Sequence, residues 1–263
     1  MSEICKKKCF TNPVVSIITP SFNQGDFIEE TIMSVLSQDY PNIEYIVIDG
    51  GSTDNTLDIL QKYREHITWI SEPDRGQADA VNKGFSSAKG QILGWLNSDD
   101  TLNSGALNEV VEHFLENPEV VMVYGDAYYI SKDGETIGEY RTENFSLKRL
   151  ADTCFICQPT VFIRTDVFKD VGMFDTSLDT CMDYEYWIRI GRRFSENRIS
   201  YIKGKYLANS RMYDTNKTVG SRKKVYMESM KTQNKYFGKI SKRWLLGYVK
   251  EIILGRGLRA TDI

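Results

Sequence analysis

The sequence predicts an α/β fold in which a mainly parallel β-sheet carries helices on both faces, with a helical extension at the C-terminal end. In the first hundred residues, short and nearly continuous apolar runs alternate with segments whose apolar residues recur at helical spacing. This alternation is typical of a parallel sheet covered by helices. With 263 residues, of which 41% are hydrophobic, the chain is long enough to bury a large core in one main domain.

Each element is predicted from its own pattern. Apolar runs predict strands at 15–20, 43–48, 67–70 and 91–96, and helical spacing predicts helices at 27–36 and 57–63 between them. Further helices are predicted at 77–88, 104–116, 182–192, 221–238 and 241–254. Strands are also predicted at 120–124, 127–130 and 136–140, with a hairpin turn at 132–135.

The charge is unevenly distributed along the chain. From Lys217 to the end there are 12 Lys and Arg against 3 Asp and Glu, so this tail carries +9 and the preceding residues carry −12, for a net charge of −3. A basic tail suits an anionic partner, and a solvated basic face explains it equally well. Because no nucleic-acid-binding module is recognised, we expect no nucleic-acid partner.

Two further patterns bear on localisation and metal binding. No apolar run reaches the roughly 18 residues that span a bilayer, and the start lacks the apolar core of a signal peptide, so we predict a cytoplasmic protein. Five cysteines argue against a disulfide framework. The lone Cys154-x-x-Cys157 pair is weak support for zinc, and we predict buried thiols there.

The stretch GWLNSDDT, residues 94–101, ends the fourth predicted strand in two adjacent carboxylates, Asp99 and Asp100. Ligands of such sheets bind beyond the carboxyl ends of the strands. Two neighbouring carboxylates repel each other, and a divalent cation with open positions for a diphosphate relieves that repulsion. The alternative is that one of them caps the following helix.

The other strand ends are polar as well. Asp49 begins the turn DGGSTDNT, where it is placed to accept a hydrogen bond from a nucleobase or ribose, and Asp54 is expected to cap a helix. The first strand ends in Pro20, Ser21 and Asn23. Neither a G-x-G-x-x-G turn nor a P-loop is present, so a metal ion is the expected partner of a diphosphate.

Three more charged residues are candidates for the site. Arg75 is placed to contact phosphate or base, whereas Lys83 serves either as a ligand contact or as a solvated helix residue. Asp183 opens the predicted helix at 182–192. Its carboxylate is either a general base for an acceptor hydroxyl or a first-turn acid stabilised by the helix dipole.

Five motifs in order, VSIITPSFN, VIDGGSTDNT, DRGQADAVNKGFSSAKG, GWLNSDD and GMFD followed by MDYEYW, resemble the family 2 glycosyltransferases of the GT-A fold, of the type that builds bacterial cell-surface polysaccharides. The resemblance runs from about Val15 to Lys217. It implies a Rossmann-like GT-A catalytic domain over 1–216, followed by a basic amphipathic helical tail over 217–263.

The resemblance also implies a reaction. A hexosyl or N-acetylhexosaminyl group would be transferred from a nucleotide sugar to a hydroxyl of a saccharide or of a polyprenyl-diphosphate-linked acceptor, with inversion at the anomeric carbon. UDP is the expected nucleotide. Mn or Mg is the implied cofactor. Asp100 would contact the metal and Asp183 would be the catalytic base. The implied nucleotide-binding residues are Pro20, Ser21, Asn23, Asp49, Arg75, Lys83 and Asp99.

Two departures from the family pattern stand out. Met182 precedes Asp183 where relatives carry Glu, and the chain reads Arg211-Met212-Tyr213 where many relatives carry Arg-x-His. A histidine contact to the metal is therefore lacking at that position. A non-catalytic sugar-nucleotide-binding protein and a metal-dependent nucleotidyltransferase remain as alternative functions, and a homo-oligomer remains open.

The last predicted helix interleaves apolar residues with Lys and Arg between Lys242 and Arg256. A basic amphipathic helix of this kind suits an anionic membrane surface, which would make the protein peripheral at the inner face of the membrane. Packing against the catalytic domain or against another subunit is the alternative.

Overall fold

The computed structural model describes residues 12–254 and confirms the predicted α/β architecture. Cys5, Cys9 and Arg256 lie outside the described residues. The strands are β1 Val15–Ser21, β2 Ile43–Asp49, β3 Thr68–Ser71, β4 Ile92–Trp95, β5 Thr101–Leu102, β6 Met122–Ile130, β7 Thr136–Glu139, β8 Phe162–Arg164 and β9 Ile199–Arg211.

The helices, in chain order, occupy the segments between and after these strands. They are α1 Ile28–Leu36, α2 Thr56–Lys62, α3 Gln77–Ser87, α4 Ala106–Glu116, α5 Leu147–Leu150, α6 Thr165–Val171, α7 Met182–Arg193, α8 Lys217–Gly220, α9 Arg222–Phe237 and α10 Lys242–Leu254. Short 3-10 turns lie at Gln158–Thr160 and Glu196–Arg198.

All described strands join one sheet in the order β3-β2-β1-β4-β8-β6-β9-β5, with β7 paired to β6. The first four are mutually parallel, as the alternating pattern predicts. Beyond β4 the orientations are mixed, because β8 runs antiparallel to both β4 and β6 while β9 runs parallel to β6. The carboxyl ends of β1, β2 and β4 therefore meet at one edge of the sheet.

Helices cover both faces of this sheet, and each face has its own apolar core. Ile17 and Ile18 are neighbours in β1 whose side chains point to opposite faces. Ile17 packs with residues of α1, α2 and α4, whereas Ile18 packs with residues of α3 and α7. The two cores fix the sheet from both sides and hold the strand ends in place.

The predicted elements of the first half match the structure closely, and the second half shows what periodicity missed. The predicted strands at 120–124 and 127–130 are one strand, β6, interrupted only by irregular register with β9 at Gly125–Ala127. The pattern did not reveal β8, α6 or the long β9. Strand β9 mixes buried and exposed residues without regular alternation, so its sequence carries no clean signal.

The helix α9 packs against α7 through polar as well as apolar contacts. The buried carboxylate of Glu228 accepts hydrogen bonds from the backbone N–H and the hydroxyl of Thr180, at 2.8 and 2.9 Å. The side-chain amide of Gln233, itself fully buried, lies 3.3 Å from the Tyr184 hydroxyl. These contacts anchor the start of the tail on the helix that carries Asp183. Across residues 12–254, no helix combines the length and apolar character needed to cross a bilayer.

Candidate active site at the carboxyl edge of the parallel strands

The loops after β1 and β2 are joined to each other by hydrogen bonds. The Asn23 backbone N–H donates to the Ser52 hydroxyl at 2.7 Å, and the Asn23 side-chain oxygen accepts from the Thr53 N–H at 2.8 Å. Asn23 adopts a left-handed conformation with φ 51°, which Asn tolerates better than most residues. Asp54 accepts from the Gly25 N–H at 2.9 Å and from the Thr56 N–H at 3.0 Å at the start of α2. The N-cap residue of α2 is Asn55, so Asp54 supports the helix start from one position before the cap and is not the cap itself. The two loops thus form one rigid rim.

Asp49 lies fully buried at the end of β2 and organises the turn that follows it. Its carboxylate accepts hydrogen bonds from the Ser52 N–H at 2.9 Å and from the Ser71 hydroxyl at 2.7 Å. It also accepts from the Gly51 N–H at 3.1 Å. A side chain at Gly50 would lie 2.9 Å from an Asp74 carboxylate oxygen, so the loop after β3 closes on this turn. Asp49 therefore stabilises the turn after β2 and its contact with β3 in the absence of any ligand.

Next to Asp49, the loop after β1 presents polar atoms without partners. Pro20 and Ser21 end β1, with Ser21 paired in register with Asp49. Ser21 is only 5% exposed, and among the described residues its hydroxyl has no hydrogen-bond partner; the same holds for the side-chain oxygen of Gln24. Buried polar atoms in folded proteins are nearly always paired. Two orphaned atoms at one rim therefore indicate groups held ready for a ligand.

A cleft of about 640 Å³ opens beside these loops. Asn23, Gln24, Phe27, Lys132 and Tyr213 are among its lining residues. This volume falls within the range of small-molecule sites in proteins.

The acidic pair emerges where β4 ends, at the same edge. Asp100 is 3% exposed, and burial together with the neighbouring charge of Asp99 raises the pKa of its carboxyl well above the usual value. One Asp100 oxygen accepts from the Arg211 backbone N–H at 2.9 Å and the other from the Asn97 side-chain amide at 3.0 Å. Burial also raises the pKa of Asp99. Holding both carboxylates ionised here is costly without a cation.

The pair is held from β9 by Arg211, a residue the sequence singled out only as part of the Arg-x-His departure. The Arg211 side chain is 1% exposed, and its Nε donates to the Asp99 carbonyl at 2.8 Å. The rest of the guanidinium binds the Lys132 carbonyl at 2.8 Å and the Glu30 carboxylate at 2.5 Å. Arg211 therefore ties the acidic pair to α1 and to the β6–β7 hairpin.

Tyr213 occupies the position where many relatives carry histidine, and it lies directly on the acidic pair. Its hydroxyl donates to an Asp99 carboxylate oxygen at 2.9 Å, and its ring packs 4.9 Å from that of Phe27. Burial, followed by the charge of Asp99, raises the pKa of Tyr213, so the hydroxyl keeps its proton. Tyr213 is thus a hydrogen-bond donor to Asp99.

The donor set at this edge suits a hard divalent cation that is shared with a ligand. No three His, Cys, Asp or Glu side chains within residues 12–254 are grouped to hold a metal by themselves. Asp99 and Asp100 offer carboxylate oxygens with spare lone pairs, and the raised pKa values mark a site where positive charge would be stabilising. Mg and Mn commonly take one or two protein carboxylates and complete their coordination with phosphate oxygens and water.

Arg75 and Lys83 lie on the outer part of the rim, after β3. Arg75 is 75% exposed along its side chain and pairs with Asp79 at 2.7 Å. Lys83 pairs with Glu72 at 2.7 Å and lies 3.7 Å from Asp79. Both cations are engaged in the free protein, and a phosphate contact would require them to exchange partners.

Asp183 lies at the first turn of α7. Burial raises the pKa of the Cys157 thiol most, and the charges of Asp100 and of Asp183 both raise it further. Both carboxylates therefore act on the same thiol. Burial raises the pKa of Asp183 from 3.8 to about 6. Nothing in the described chain donates a side-chain hydrogen bond to this carboxylate. Asp183 accepts only backbone hydrogen bonds within the described residues, and its pKa lies near neutrality, as the pKa values of general bases do.

The site contains groups that the sequence analysis missed. Asn97 connects the acidic pair to neighbouring elements. Its side-chain oxygen accepts hydrogen bonds from the Trp95 indole at 2.8 Å and from the Gln77 side chain at 2.6 Å. Its side-chain nitrogen donates to Gln158 at 3.1 Å and to Asp100. Gln158 follows Cys157 directly, so the Cys-x-x-Cys segment supplies a polar support to the acidic pair. Cys157 is a buried thiol and Cys154 is a partly exposed one, both free. Polar residues in the GWLNSDDT stretch were the available signal for Asn97.

Comparison with known proteins places this arrangement in a family. The family model "Glycosyl transferase family 2" matches residues 16–172, more than half of the chain. An uncharacterized glycosyltransferase of Rickettsia typhi is 30% identical over 79% of this chain and 66% of its own length. Chondroitin synthase of Pasteurella multocida is 29% identical over 72% of this chain and 20% of its own length. The matched region thus spans less than two thirds of these curated relatives.

A solved structure with the same fold is that of S. aureus TarS 1-349 in complex with UDP-GlcNAc, which superposes with a TM-score of 0.69 at 20% identity and covers 91% of this chain and 73% of that chain. This likeness establishes the GT-A fold. The extent of the family match, together with the fold, means that the chain belongs to glycosyl transferase family 2.

Proposed function

We propose that this protein transfers a sugar from a nucleotide sugar, UDP-linked by preference, to a hydroxyl of a saccharide or lipid-linked saccharide acceptor in polysaccharide biosynthesis, with inversion at the anomeric carbon. The observation that carries the proposal is the pair Asp99–Asp100 at the carboxyl edge of the sheet, in which Asp100 is buried and Asp99 is partly buried, together with Asp183 on the first turn of α7. In this proposal the segment after β4 would bind the diphosphate, and the start of α7 would supply the base.

The rim of β1 and β2 provides the place for the nucleotide. Ser21 and Gln24 offer unpartnered polar atoms to a nucleobase or ribose, next to the buried carboxylate of Asp49. Asn23, fixed in its left-handed conformation by Ser52 and Thr53, keeps the loop shape. Because these groups are already ordered, nucleotide binding costs little conformational entropy.

The diphosphate belongs beside Asp99 and Asp100. A bound Mn or Mg would be held by Asp100, with Asp99 beside it, and would supply positive charge to the leaving diphosphate. Arg211 and Asn97 hold the two carboxylates in position, and the Tyr213 hydroxyl orients Asp99. Arg75 and Lys83 are the nearby cations for a phosphate or base contact once they leave Asp79 and Glu72.

Asp183 acts as the base in this scheme. With a pKa of about 6, its carboxylate is mostly ionised at pH 7 and basic enough to take the proton of an acceptor hydroxyl. The acceptor oxygen then forms a bond to the anomeric carbon, the bond from that carbon to the diphosphate oxygen breaks, and the nucleoside diphosphate leaves with the electron pair. A single displacement of this kind inverts the anomeric configuration.

The relatives support the donor and acceptor classes in this proposal. TarS was solved with UDP-GlcNAc, and one matching relative is named a chondroitin synthase.

A thermal-shift panel tests the donor site. The protein is heated with UDP, GDP, dTDP or CDP, each with and without Mn. We expect a clear upward shift of the melting temperature with UDP that requires Mn, and a much smaller shift in the Asp100→Asn variant. Asp166→Asn, which removes an exposed carboxylate of α6, serves as the matched control. Absence of a shift with all four nucleotides contradicts the proposed function.

A further inference from the structure

Among residues 12–254, helix α10 makes its contacts with α9 through one face. The Trp244 ring lies 5.7 Å from the Tyr226 ring of α9 in an edge-on arrangement. At Gly247 a side chain would come within 2.6 Å of the same Tyr226 ring, so the two helices approach closely there. On the next turn Glu251 faces Arg222 at 3.6 Å. These contacts fix the rotation of α10 about its axis.

The opposite face of α10 carries large apolar side chains that are exposed. Leu246 and Ile253 are 68% and 72% exposed, and Leu245, Val249 and Ile252 are 49%, 39% and 49% exposed. At 100° per residue these five positions fall on one continuous arc of the helix. A row of exposed apolar side chains on one helix face is typical of an interaction site rather than of an ordinary solvated surface.

The charges around the exposed apolar face of α10 indicate the kind of partner that it suits. Residues 217–254 contain 10 Lys and Arg and only two acids, Glu228 and Glu251. Both acids are turned inward, since Glu228 is buried against the start of α7 and Glu251 pairs with Arg222. The exposed charges of this segment are therefore all positive. On α10 itself they are Lys242, Arg243 and Lys250, all of them exposed. At 100° per residue, Arg243 and Lys250 border one side of the apolar arc, and Lys242 lies at the N-terminal end of the arc.

We propose that the outer face of α10 docks on an anionic lipid bilayer, lying in the plane of the interface. The five apolar side chains would enter the boundary between headgroups and acyl chains, and the bordering Lys and Arg would contact anionic headgroups. A second copy of this chain fits less well. A two-fold contact through this face would bring Lys242 and its basic neighbours against the same residues of the other copy.

Docking in this way would also position the candidate base. Helix α9 connects α10 to α7 through Gln233 and Tyr184, and the Tyr184 ring lies 6.0 Å from that of Trp244. The first turn of α7, which carries Asp183, is thereby joined to the docking helix by packed side chains. An acceptor held at a lipid surface would be presented to a base at a fixed distance from that surface.

Vesicle flotation of the full chain tests the docking. Vesicles of phosphatidylcholine alone are compared with vesicles that also contain phosphatidylglycerol, at low and high salt. We expect flotation with the anionic vesicles that weakens as salt rises. Leu246→Asp with Ile253→Asp, and separately Lys242→Glu with Lys250→Glu, should each lower partitioning about tenfold or more.

The control variant is Ile137→Asp, which places an Asp at a 45% exposed apolar residue of β7 and should float like the wild type. Leu246→Asp and Ile253→Asp are also measured singly, so that each adds one charge as the control does. Thermal melts establish that each variant is folded. Three results would overturn the proposal: no flotation of the wild type, flotation equal with neutral and anionic vesicles, or a double variant Leu246→Asp/Ile253→Asp that floats normally but loses self-association in light scattering. The last result would assign the face to a second copy.

Discussion

Replacing Asp183 by Asn should stabilise the fold while it abolishes transfer, and the stabilisation should depend on pH. Burial raises the pKa of this carboxyl from 3.8 to about 6 in the folded protein. Between those two values the folded state binds more protons than the unfolded state, so stability falls as pH rises through that window. Above pH 6 the folded protein bears the full cost of an ionised, partly buried Asp183. Asn has no charge to bury.

The pKa difference sets the size of the effect. A rise from 3.8 to about 6 corresponds to at most about 3 kcal/mol of destabilisation, at 1.36 kcal/mol per pH unit. Linkage places about 2 kcal/mol of this between pH 4.5 and 7.5, most of it below pH 6. For a chain of this length each kcal/mol shifts the melting temperature by about 2–4 °C. The difference in melting temperature between Asp183→Asn and the wild type should therefore be about 4–8 °C larger at pH 7.5 than at pH 4.5.

The assay is a pair of chemical or thermal denaturation series on wild type and Asp183→Asn at pH 4.5, 6 and 7.5. Asp166→Asn, which removes an exposed carboxylate of α6, is the matched control. In parallel, the pH profile of wild-type kcat/KM should rise tenfold per pH unit below pH 6 and level off above it, because the base must be ionised.

A constant stability difference between wild type and Asp183→Asn across this pH range would refute the burial argument. Wild-type activity at pH 5 equal to that at pH 7 would refute the role of Asp183 as the base, since only about a tenth of a group with this pKa is ionised at pH 5.

Two further predictions concern the supports of the acidic pair. Arg211→Lys should lower the free energy of unfolding, measured by urea titration, by about 3 kcal/mol or more, because the buried guanidinium binds Glu30 and three backbone carbonyls that an ammonium group cannot bind together. The control Arg193→Lys, on the surface, should lower it by less than about 0.5 kcal/mol. Equal losses in the two variants would contradict the account. Tyr213→His should raise the affinity for Mn in the absence of nucleotide, measured by the quenching of the Mn paramagnetic resonance signal. Tyr213→Phe, which removes only the 2.9 Å contact to Asp99, should not raise it. Identical Mn titrations of the wild type and both variants would count against a cation site beside Asp99.

The N-terminal half of the fold could be predicted because its physics is local. Strands such as Val15–Ser21 are buried on both faces and read as continuous apolar runs, and Ile28, Ile32 and Val35 of α1 recur at helical spacing. In parallel sheets the edge that binds ligands follows from that alternation. The polar ends of β1, β2 and β4 could therefore be placed at one rim from the sequence.

The supports of the site could not be predicted, because they depend on contacts between distant parts of the chain. Arg211 lies on β9, whose irregular register with β6 and mixed burial leave no periodic signal, yet it contacts Asp99 across 112 positions of sequence. The unpartnered atoms of Ser21 and Gln24 are likewise visible only once burial is known. For α10 the sequence left membrane docking and packing as alternatives, and the structure assigns the packing contacts to one face of that helix.

The central claim is that Asp100 holds the divalent cation that stabilises the leaving diphosphate of a sugar nucleotide during transfer. The most direct measurement is the initial rate of UDP release from UDP-hexoses and UDP-N-acetylhexosamines with Mn, for wild type and for Asp100→Asn, with circular dichroism to establish that both are folded. We predict release by the wild type from one of these donors, and a loss of about 100-fold or more in the variant, as when a main stabiliser of leaving-group charge is removed. A folded Asp100→Asn protein that releases UDP at the wild-type rate would contradict the account.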